Sequence, residues 1–509
     1  MTIYLDDYYT RSRLNAPVFR PTVSSPSNLQ KEPYTTTPCL SCRCGAIVPA
    51  MSRTYFDRSV PIAALATPEG RSALAVIRTS GEKAIGLVAR CFSRPQALLD
   101  AEGYRAVYGW IVDPHSQERL DEVVALVFRA PHSFTGENAV EIMCHGSPAV
   151  VRRILELLYA QGFSPALKGE FSFRAFAGGK TDLVRAEAIN ELTKASCEAA
   201  RQDALWRLTG ALSRKLEGIR HLMVDLLADI DARLDYPEDE APEEVGRWAQ
   251  YMQRAQEELS DLLRTYPGGR LRQEGILVVI AGRPNAGKSS LFNLLVREER
   301  AIVSPEPGTT RDWLESWISI GDFAVRLVDT AGLRNSGNAV EAEGVRRSQA
   351  LLDRADMILY LVDGTVGLND EDRTFIERFP EALLLWNKSD LPQCKILPQG
   401  WTAVSAKDVR SFGGFESMLK DTLSAYVQKN QTLGQYEAQV RIAGERQERL
   451  LRQAYEALSQ AIAAQDAGAG LDLVALHVRE SAESIGEITG DIAPDEVLER
   501  IFSTFCLGK

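Results

Sequence analysis

Cysteine is scarce in this sequence, with 8 residues scattered over 509. That excludes a disulfide framework and favours a reducing compartment, the cytoplasm. Long apolar runs are missing too, and no stretch is long enough to span a bilayer. Excess positive charge is also absent. A net charge of −11 argues against a general nucleic-acid coat, while leaving room for a local basic site. What is present, 45% hydrophobic and 25% charged residues, is ordinary globular composition with ample material for a core. The length predicts about two to four domains.

Residues 1–58 differ from the rest. They are rich in Ser, Thr, Pro and Tyr without sustained periodicity, and read as a disordered leader or a mis-assigned start. Arg11, Arg13, Arg20, Lys31 and Arg43 suit a transit peptide, but Asp6 and Asp7 do not, and Met51 is the preferred start. Cys39, Cys42 and Cys44 have no second ligand pair nearby, so unstructured thiols are favoured over half a metal site.

Order is expected from about Ser59. Strand-like runs at 62–66, 73–77, 104–112 and 122–128 and helical runs at 83–92 and 150–161 predict an α+β domain over residues 59–180. From Thr181 the pattern turns helical. Leu212, Leu216, Ile219, Leu222, Leu226, Ile230 and Leu234 step along one face, and a further helix runs to Tyr266 before Pro267-Gly268-Gly269 punctuates the chain. Residues 275–430 alternate strands and helices, the sign of a mostly parallel α/β sheet. After 430 helices resume, with one stripe at Leu450, Leu451, Ala454, Leu458 and Ile462 and another at Leu473, Leu476, Ile485 and Ile488. Neither helical block, 181–274 or 431–509, has a complete core of its own. One all-α domain split in sequence, with the α/β domain inserted through close termini, is the economical arrangement.

The chemistry concentrates in Gly282-Arg283-Pro284-Asn285-Ala286-Gly287-Lys288-Ser289-Ser290, between the apolar run 275–281 and a helical pattern. Strand, Gly-rich turn and helix in that order make a phosphate-binding loop. Lys288 would reach the β- and γ-phosphates and Ser289 would hold Mg²⁺. Downstream, Gly308-Thr309-Thr310-Arg311-Asp312 places Thr310 on Mg²⁺, and Asp329-Thr330-Ala331-Gly332 ends a strand beside the γ-phosphate. Asn387-Lys388-Ser389-Asp390 follows, and the Asp390 carboxylate accepts from the two donors of guanine that adenine lacks. Ser405-Ala406-Lys407 braces the base. Leu333 stands where many GTPases have a glutamine that orients water. No arginine finger is evident. Asn285 is either a ligand for a monovalent cation that supplies the missing charge or a stabiliser of the loop.

Outside the nucleotide motifs, Ala66-Thr67-Pro68 with Arg71, Ser133-Phe134-Thr135-Gly136-Glu137, Gly169-Glu170-Phe171-Ser172 with Arg174-Ala175-Phe176, and Phe505-Cys506-Leu507-Gly508-Lys509 resemble the MnmE (TrmE) family of tRNA modification GTPases. The resemblance runs from about Ile62 to Lys509. It implies a folate-binding, dimer-forming N-terminal domain, a split helical domain and a Ras-like P-loop GTPase domain. The implied GTP contacts are Asn285, Ala286, Gly287, Lys288, Ser289, Ser290, Ser304, Thr309, Thr310, Asp329, Thr330, Ala331, Gly332, Asn387, Lys388, Asp390, Ser405, Ala406 and Lys407. Asn285 would hold K⁺ with the backbone near Ser304, Glu306 and Thr309, although the Pro305 and Pro307 loop departs from the family pattern. Glu341 would orient water in place of the missing glutamine, with Glu343 a neighbouring competitor. Arg78, Glu141, Lys180 and Lys509 would bind a 5,10-methylene- or formyl-type tetrahydrofolate.

The implied activity is GTP-driven addition of an aminomethyl or carboxymethylaminomethyl group to C5 of the wobble uridine of certain tRNAs. It would proceed with an FAD-containing MnmG partner in a heterotetramer, around a homodimer and away from membranes. Cys506 is either a participant in the one-carbon chemistry or a small residue closing the last helix. Cys91, Cys144 and Cys197 read as core, and His145 as a pocket residue without a metal partner. The rival is a ribosome-assembly GTPase that docks on rRNA, which predicts a basic RNA-binding module that neither flank supplies.

Overall fold

The computed structural model describes residues 54–509 apart from 196, 236–242, 299–300, 303–313, 321–322, 331–348, 408, 432–439 and 509. Residues 54–509 form one compact unit.

The first part is a six-stranded sheet, β1 (Ile62–Leu65), β2 (Leu74–Ser80), β3 (Arg105–Val112), β4 (Arg119–Phe128), β5 (Ala139–His145) and β6 (Ser164–Pro165), in the order β3-β4-β5-β2-β1-β6. Helices α1 (Ala84–Ala89), α2 (Pro95–Leu99), α3 (Pro148–Ala160) and α4 (Glu170–Ala177) accompany it. Alternation buries Val123, Ala125 and Val127 of β4 on one face, against Ile154 and Leu158 of α3. Four elements of this part escaped the sequence reading: the short α2 and β6, β5, and α4, which buries Glu170, Phe171, Ser172, Phe173, Arg174 and Ala175. The packed chain also begins before Ser59. Tyr55 donates its hydroxyl to the Lys168 carbonyl at 2.7 Å, and its ring lies 5.6 Å from that of Phe173.

Helices α5 (Leu183–Lys194), α6 (Glu198–Leu208), α7 (Ala211–Asp235) and α8 (Glu243–Glu274) follow. Past the nucleotide domain come three more helices, α12 (Glu445–Asp466), α13 (Leu471–Thr489) and α14 (Asp495–Ser503). Leu216, Ile219 and Leu226 of α7, Trp248 and Leu259 of α8, Leu450 and Leu458 of α12, and Val478 and Ile485 of α13 share a single core. Thus both halves of the sequence build one helical layer. The expected stripe on α13 is wrong at its start. Leu473 and Leu476 are exposed, and Val474, Ala475 and Val478 are buried instead.

Between these blocks lies a seven-stranded sheet: β7 (Ile276–Gly282), β8 (Ala301–Ile302), β9 (Leu314–Ile320), β10 (Phe323–Asp329), β11 (Met357–Asp363), β12 (Leu383–Asn387) and β13 (Thr402–Ala403). Its order is β13-β12-β11-β7-β10-β9-β8, parallel except where β9 runs antiparallel to β10 and β8. Helices α9 (Lys288–Glu298), α10 (Asp370–Arg378) and α11 (Val409–Gln431) connect or flank the strands.

The largest departure from expectation is α8. Pro267 does not end it, and the helix runs on to Glu274. An interior proline costs about 3 kcal/mol, but this one is pinned on both sides. Upstream, Leu259 and Leu262 sit in the helical core; downstream, Leu271 enters the core of the nucleotide domain and Arg270 pairs with Asp356 at 2.7 Å. Gly269 lets the returning chain lie against the same turn, since a Cβ there would stand 2.1 Å from the Ile442 carbonyl oxygen. Gly269→Ala is therefore expected to destabilise the chain by about 1–3 kcal/mol. Gly218→Ala, with open space around the added methyl, should be neutral or stabilise by up to about 1 kcal/mol. Urea denaturation of both variants checks this, and equal midpoints would show that residues 440–443 shift freely.

Candidate functional site

The turn between β7 and α9 is shaped by close approach. Gly282 has φ +140°, and a Cβ there would lie 2.2 Å from the Leu361 carbonyl oxygen. Gly287 has φ +101°, and its Cβ would lie 2.1 Å from Asn387 Nδ2. Neither position admits a side chain. Lys288 curls back over the turn and donates from Nζ to the carbonyls of Gly282 and Arg283, both at 2.8 Å. Ser289 Oγ donates to Asp329 Oδ2 at 2.7 Å, with Asp329 fully buried at the end of β10. Thr330 Oγ1 donates to the Ile280 carbonyl at 2.9 Å. Asn285, in the left-handed region at φ +63°, and Ser290 are exposed, whereas Ala286 is buried.

A buried amide ties this turn to the loops after β12 and β13. Asn387 Nδ2 donates to the Ala286 carbonyl at 2.7 Å, and its Oδ1 accepts from the Ala406 amide at 3.2 Å. Ser389 donates to the Val404 carbonyl from both its amide (3.2 Å) and its hydroxyl (2.9 Å). Lys388 Nζ donates to Asp363 Oδ2 at 2.6 Å. Burial raises the Asp363 pKa, but hydrogen bonds from Lys388 and Thr365 outweigh it and hold the carboxyl below its usual value. Asp390 and Lys407 are exposed beside these loops, and Ser405 is buried.

Sequence reasoning missed Arg283. Its Nη2 donates to the Gly367 carbonyl at 2.6 Å, and its Nε lies 3.1 Å from Asp372 Oδ1. Asp372 is fully buried, forms a capping box with Asn369 at the start of α10 and accepts from Tyr360 at 2.8 Å. The spacing Asn369-x-x-Asp372 was the readable signal. Ser304, Glu306, Thr309, Thr310, Ala331, Gly332, Leu333, Glu341, Glu343 and Lys509 lie outside the described residues, as do Cys39, Cys42 and Cys44.

A second concavity lies in the first sheet. Arg78 of β2 stands opposite Glu141 of β5 in the strand register, and its Nε donates to Glu141 Oε1 at 2.8 Å. Its Nη1 donates to the Gly508 carbonyl at 3.2 Å. The guanidinium lies 5.5 Å from the Phe134 ring centroid and 5.7 Å from that of Phe171, a cation–π arrangement. The cleft is also lined by Ser80, Phe128 and Thr135. Behind it, fully buried Arg174 donates to Glu137 Oε2 (3.0 Å), Glu170 Oε1 (2.9 Å) and the Val60 carbonyl (2.7 Å). Ser80 joins this network through Glu137 at 2.7 Å. A charged residue in the Phe-rich segment 170–177 was the sequence signal for it.

Lys180 donates to the Pro131 carbonyl at 3.0 Å and lies against Gly136, outside the cleft lining. Cys506 is exposed and does not line the cleft either, while its carbonyl accepts from the Gly169 amide at 3.3 Å. Gly508, at φ +85°, lies so close to β1 that a Cβ would stand 2.4 Å from the Leu65 oxygen. Burial pushes the Cys91 thiol up to about 12; burial, then the Asp121 charge, pushes Cys144 up to about 11. Both stay protonated and inert near neutral pH. Cys197 is corrected from core to half-buried, at the head of α6. His145 is corrected as well: it is exposed and does not line the cleft, and its Nδ1 lies 2.7 Å from Asp121 Oδ1. Among the described residues, no helix is long and apolar enough to cross a membrane.

Residues 61–180 match the family described as GTP-binding protein TrmE N-terminus, and residues 183–506 match the MnmE helical domain. The tRNA modification GTPase MnmE of Treponema denticola is 38% identical over 463 residues, 88% of this chain and 98% of its own. That of Salinibacter ruber is 40% identical over 465 residues, 89% of this chain and all of its own. The chain belongs to the MnmE family of tRNA modification GTPases. It is a GTP-hydrolysing enzyme of tRNA modification. Among solved structures, the G domain of the T. maritima FeoB iron transporter is similar over 30% of this chain and 99% of its own, at 24% identity and a TM-score of 0.22.

In this MnmE-family chain Asn387 uses one donor and one acceptor position of its amide within the protein. Asn387→Ala strands a buried carbonyl, which costs about 1–3 kcal/mol, and frees the phosphate-binding turn from the loop at Ala406. Lower stability in urea together with weaker GTP binding is the expected result. Unchanged nucleotide affinity would show that the two loops hold their places independently.

Proposed function

We propose that this chain acts with an FAD-containing MnmG-type partner to add an aminomethyl or carboxymethylaminomethyl group to C5 of the wobble uridine of certain tRNAs. The observation that carries the reading is the meeting of three distant stretches at one cleft. Arg78, Glu141 and the Gly508 carbonyl are joined by hydrogen bonds of 2.8 and 3.2 Å between aromatic walls. The donor set fits a tetrahydrofolate: rings suit a planar heterocycle, a carboxylate suits its N–H groups and a guanidinium suits its anionic tail. Arg78 and Glu141 would hold it, with Lys180 near the rim and Lys509 from the end of the chain. When bound, a 5,10-methylene- or formyl-type derivative supplies the one-carbon unit. Cys506, exposed beside this domain, is the candidate thiol for that chemistry. The family assignment favours this reading over the rRNA-docking switch. Homodimerisation through the N-terminal domains and residence in the cytoplasm belong to the same reading.

At the nucleotide site, Lys288 would exchange the carbonyls of Gly282 and Arg283 for the β- and γ-phosphates. Ser289 and Thr310 would hold Mg²⁺, a role suited to a hydroxyl already 2.7 Å from a buried carboxylate. Asp390, exposed, would accept from guanine. Asn285, exposed on the turn, would hold K⁺ with the backbone of Ser304, Glu306 and Thr309. Glu341 would orient the attacking water in place of the residue at Leu333. Pairing of G domains would then activate hydrolysis.

GTP turnover is expected to be faster in potassium than in sodium, with ~10³–10⁵, the range of a finger-like charge, as the ceiling. Asn285→Ala should remove the difference, whereas equal turnover of the wild type in both salts would take the cation out of the mechanism. Isothermal titration of the full-length chain with 5-formyltetrahydrofolate tests the cleft. Glu141→Gln should weaken binding by about tenfold or more, the value of a charged hydrogen bond. Absence of binding by the wild type would end the folate reading.

A further inference from the structure

Helix α6 is turned inside out. It buries Asp203 and Arg207 along with Ala200 and Ala204, and it exposes Leu205 and Trp206, at 43% and 46%. Charged residues are seldom buried and a large aromatic is seldom left open unless the exposed face has a use. The buried charges are anchored: Arg207 pairs with Glu191 at 2.6 Å and donates to the Arg441 carbonyl at 3.3 Å. The side chain of Arg441 and that of Arg272 both reach the same oxygen of Asp203, at 3.4 and 3.7 Å. Two guanidiniums share one carboxylate, which leaves a surplus positive charge one helical turn from Trp206. Burial and the Arg441 charge hold the Arg272 pKa below its usual value, as their crowding requires.

Further cations fringe the aromatic. Arg214 is exposed and donates to the Thr209 carbonyl at 3.0 Å, at the end of α6. Residues 191–215 contain Lys194, Arg201, Arg207, Arg214 and Lys215 against Glu191, Glu198 and Asp203, in a chain whose acidic residues outnumber its basic ones 69 to 58. The sign of the charge is therefore reversed around the open indole. An apolar protein partner would account for Trp206 and Leu205 but not for the cations. A polyanion with flat bases accounts for both.

We infer that the outer face of α6 is a tRNA-binding platform, on which an unpaired base of the anticodon loop stacks on Trp206 while Arg214, Arg272 and Arg441 face the phosphates. This rests on the chain acting on tRNA and on the wobble position proposed above, and not on the folate cleft. The test is fluorescence anisotropy of full-length protein with a fluorescein-labelled anticodon stem–loop carrying uridine at the wobble position, and with whole tRNA. Trp206→Ala should weaken stem–loop binding by roughly 5- to 100-fold, the range for one stacked base. Trp206→Phe should restore most of it, and Trp206→Leu should not. Arg214→Gln should lower the slope of log affinity against log salt by about one, while Trp206→Ala leaves that slope unchanged. Thermal melts confirm that each variant is folded. The platform is overturned if folded Trp206→Ala binds as well as wild type. It is also overturned if Leu rescues as well as Phe, or if Trp206→Ala changes the oligomeric state in sedimentation, which would make the face a protein interface. Wild type that binds neither RNA would overturn the tRNA reading itself.

Discussion

Asp356 accepts three hydrogen bonds at the foot of the nucleotide-binding sheet: from Arg270 of α8 at 2.7 Å, from the Leu277 amide that opens β7 at 2.9 Å, and from Tyr426 of α11 at 3.2 Å. One nearly buried carboxylate thus touches the helix by which the chain enters this domain, the strand that leads to the phosphate-binding turn, and the helix by which the chain leaves. A carboxylate with several donors keeps its charge satisfied out of water, and removing any donor would leave part of it bare. The insertion of one domain into another depends on its ends being held together, and here Asp356 shares that task with Leu271, which lies in one core with Leu423 and Val427 of α11.

From that joint the geometry runs upward along β7 to Gly282 and then to a loop system in which little is free. Glycines at 282 and 287 bring the turn against Leu361 and Asn387, Asn387 binds it to Ala406, and Arg283 binds it sideways to Asp372. The exposed groups, Asn285 and Asp390, are carried on a frame tied together by Lys288, Ser289, Asn387 and Arg283. Function on a loop requires such a frame, because loop backbone without partners cannot hold a side chain to a fraction of an ångström.

The parts of the molecule that could be read in the sequence are those whose signal is local. The strand–turn–helix around residues 282–290 is contiguous, and the stripes of α7 and α12 repeat at helical spacing. What could not be read depends on distant partners. Pro267 and its two glycines look like a terminus, and only Ile442, Leu271 and Asp356 make them part of a helix. The α4 segment turns its polar pair, Glu170 and Arg174, inward, so burial there does not follow polarity. Arg174 and Arg207 are charged residues buried against carboxylates, Arg174 on Glu137 and on Glu170 of its own helix and Arg207 on Glu191 of the preceding helix, and Leu473 and Leu476 fit a stripe whose true buried residues are Val474, Ala475 and Val478. Tertiary contact overrides propensity at each of these points.

Gly508 wedges against Leu65 and offers its carbonyl to Arg78, so a segment 430 positions away in sequence lies beside a cleft built on the strands at 74–80 and 139–145. Translation reaches that segment only after the helical layer and the nucleotide domain have emerged. The sheet is free to form early, but this contact waits until both have been made.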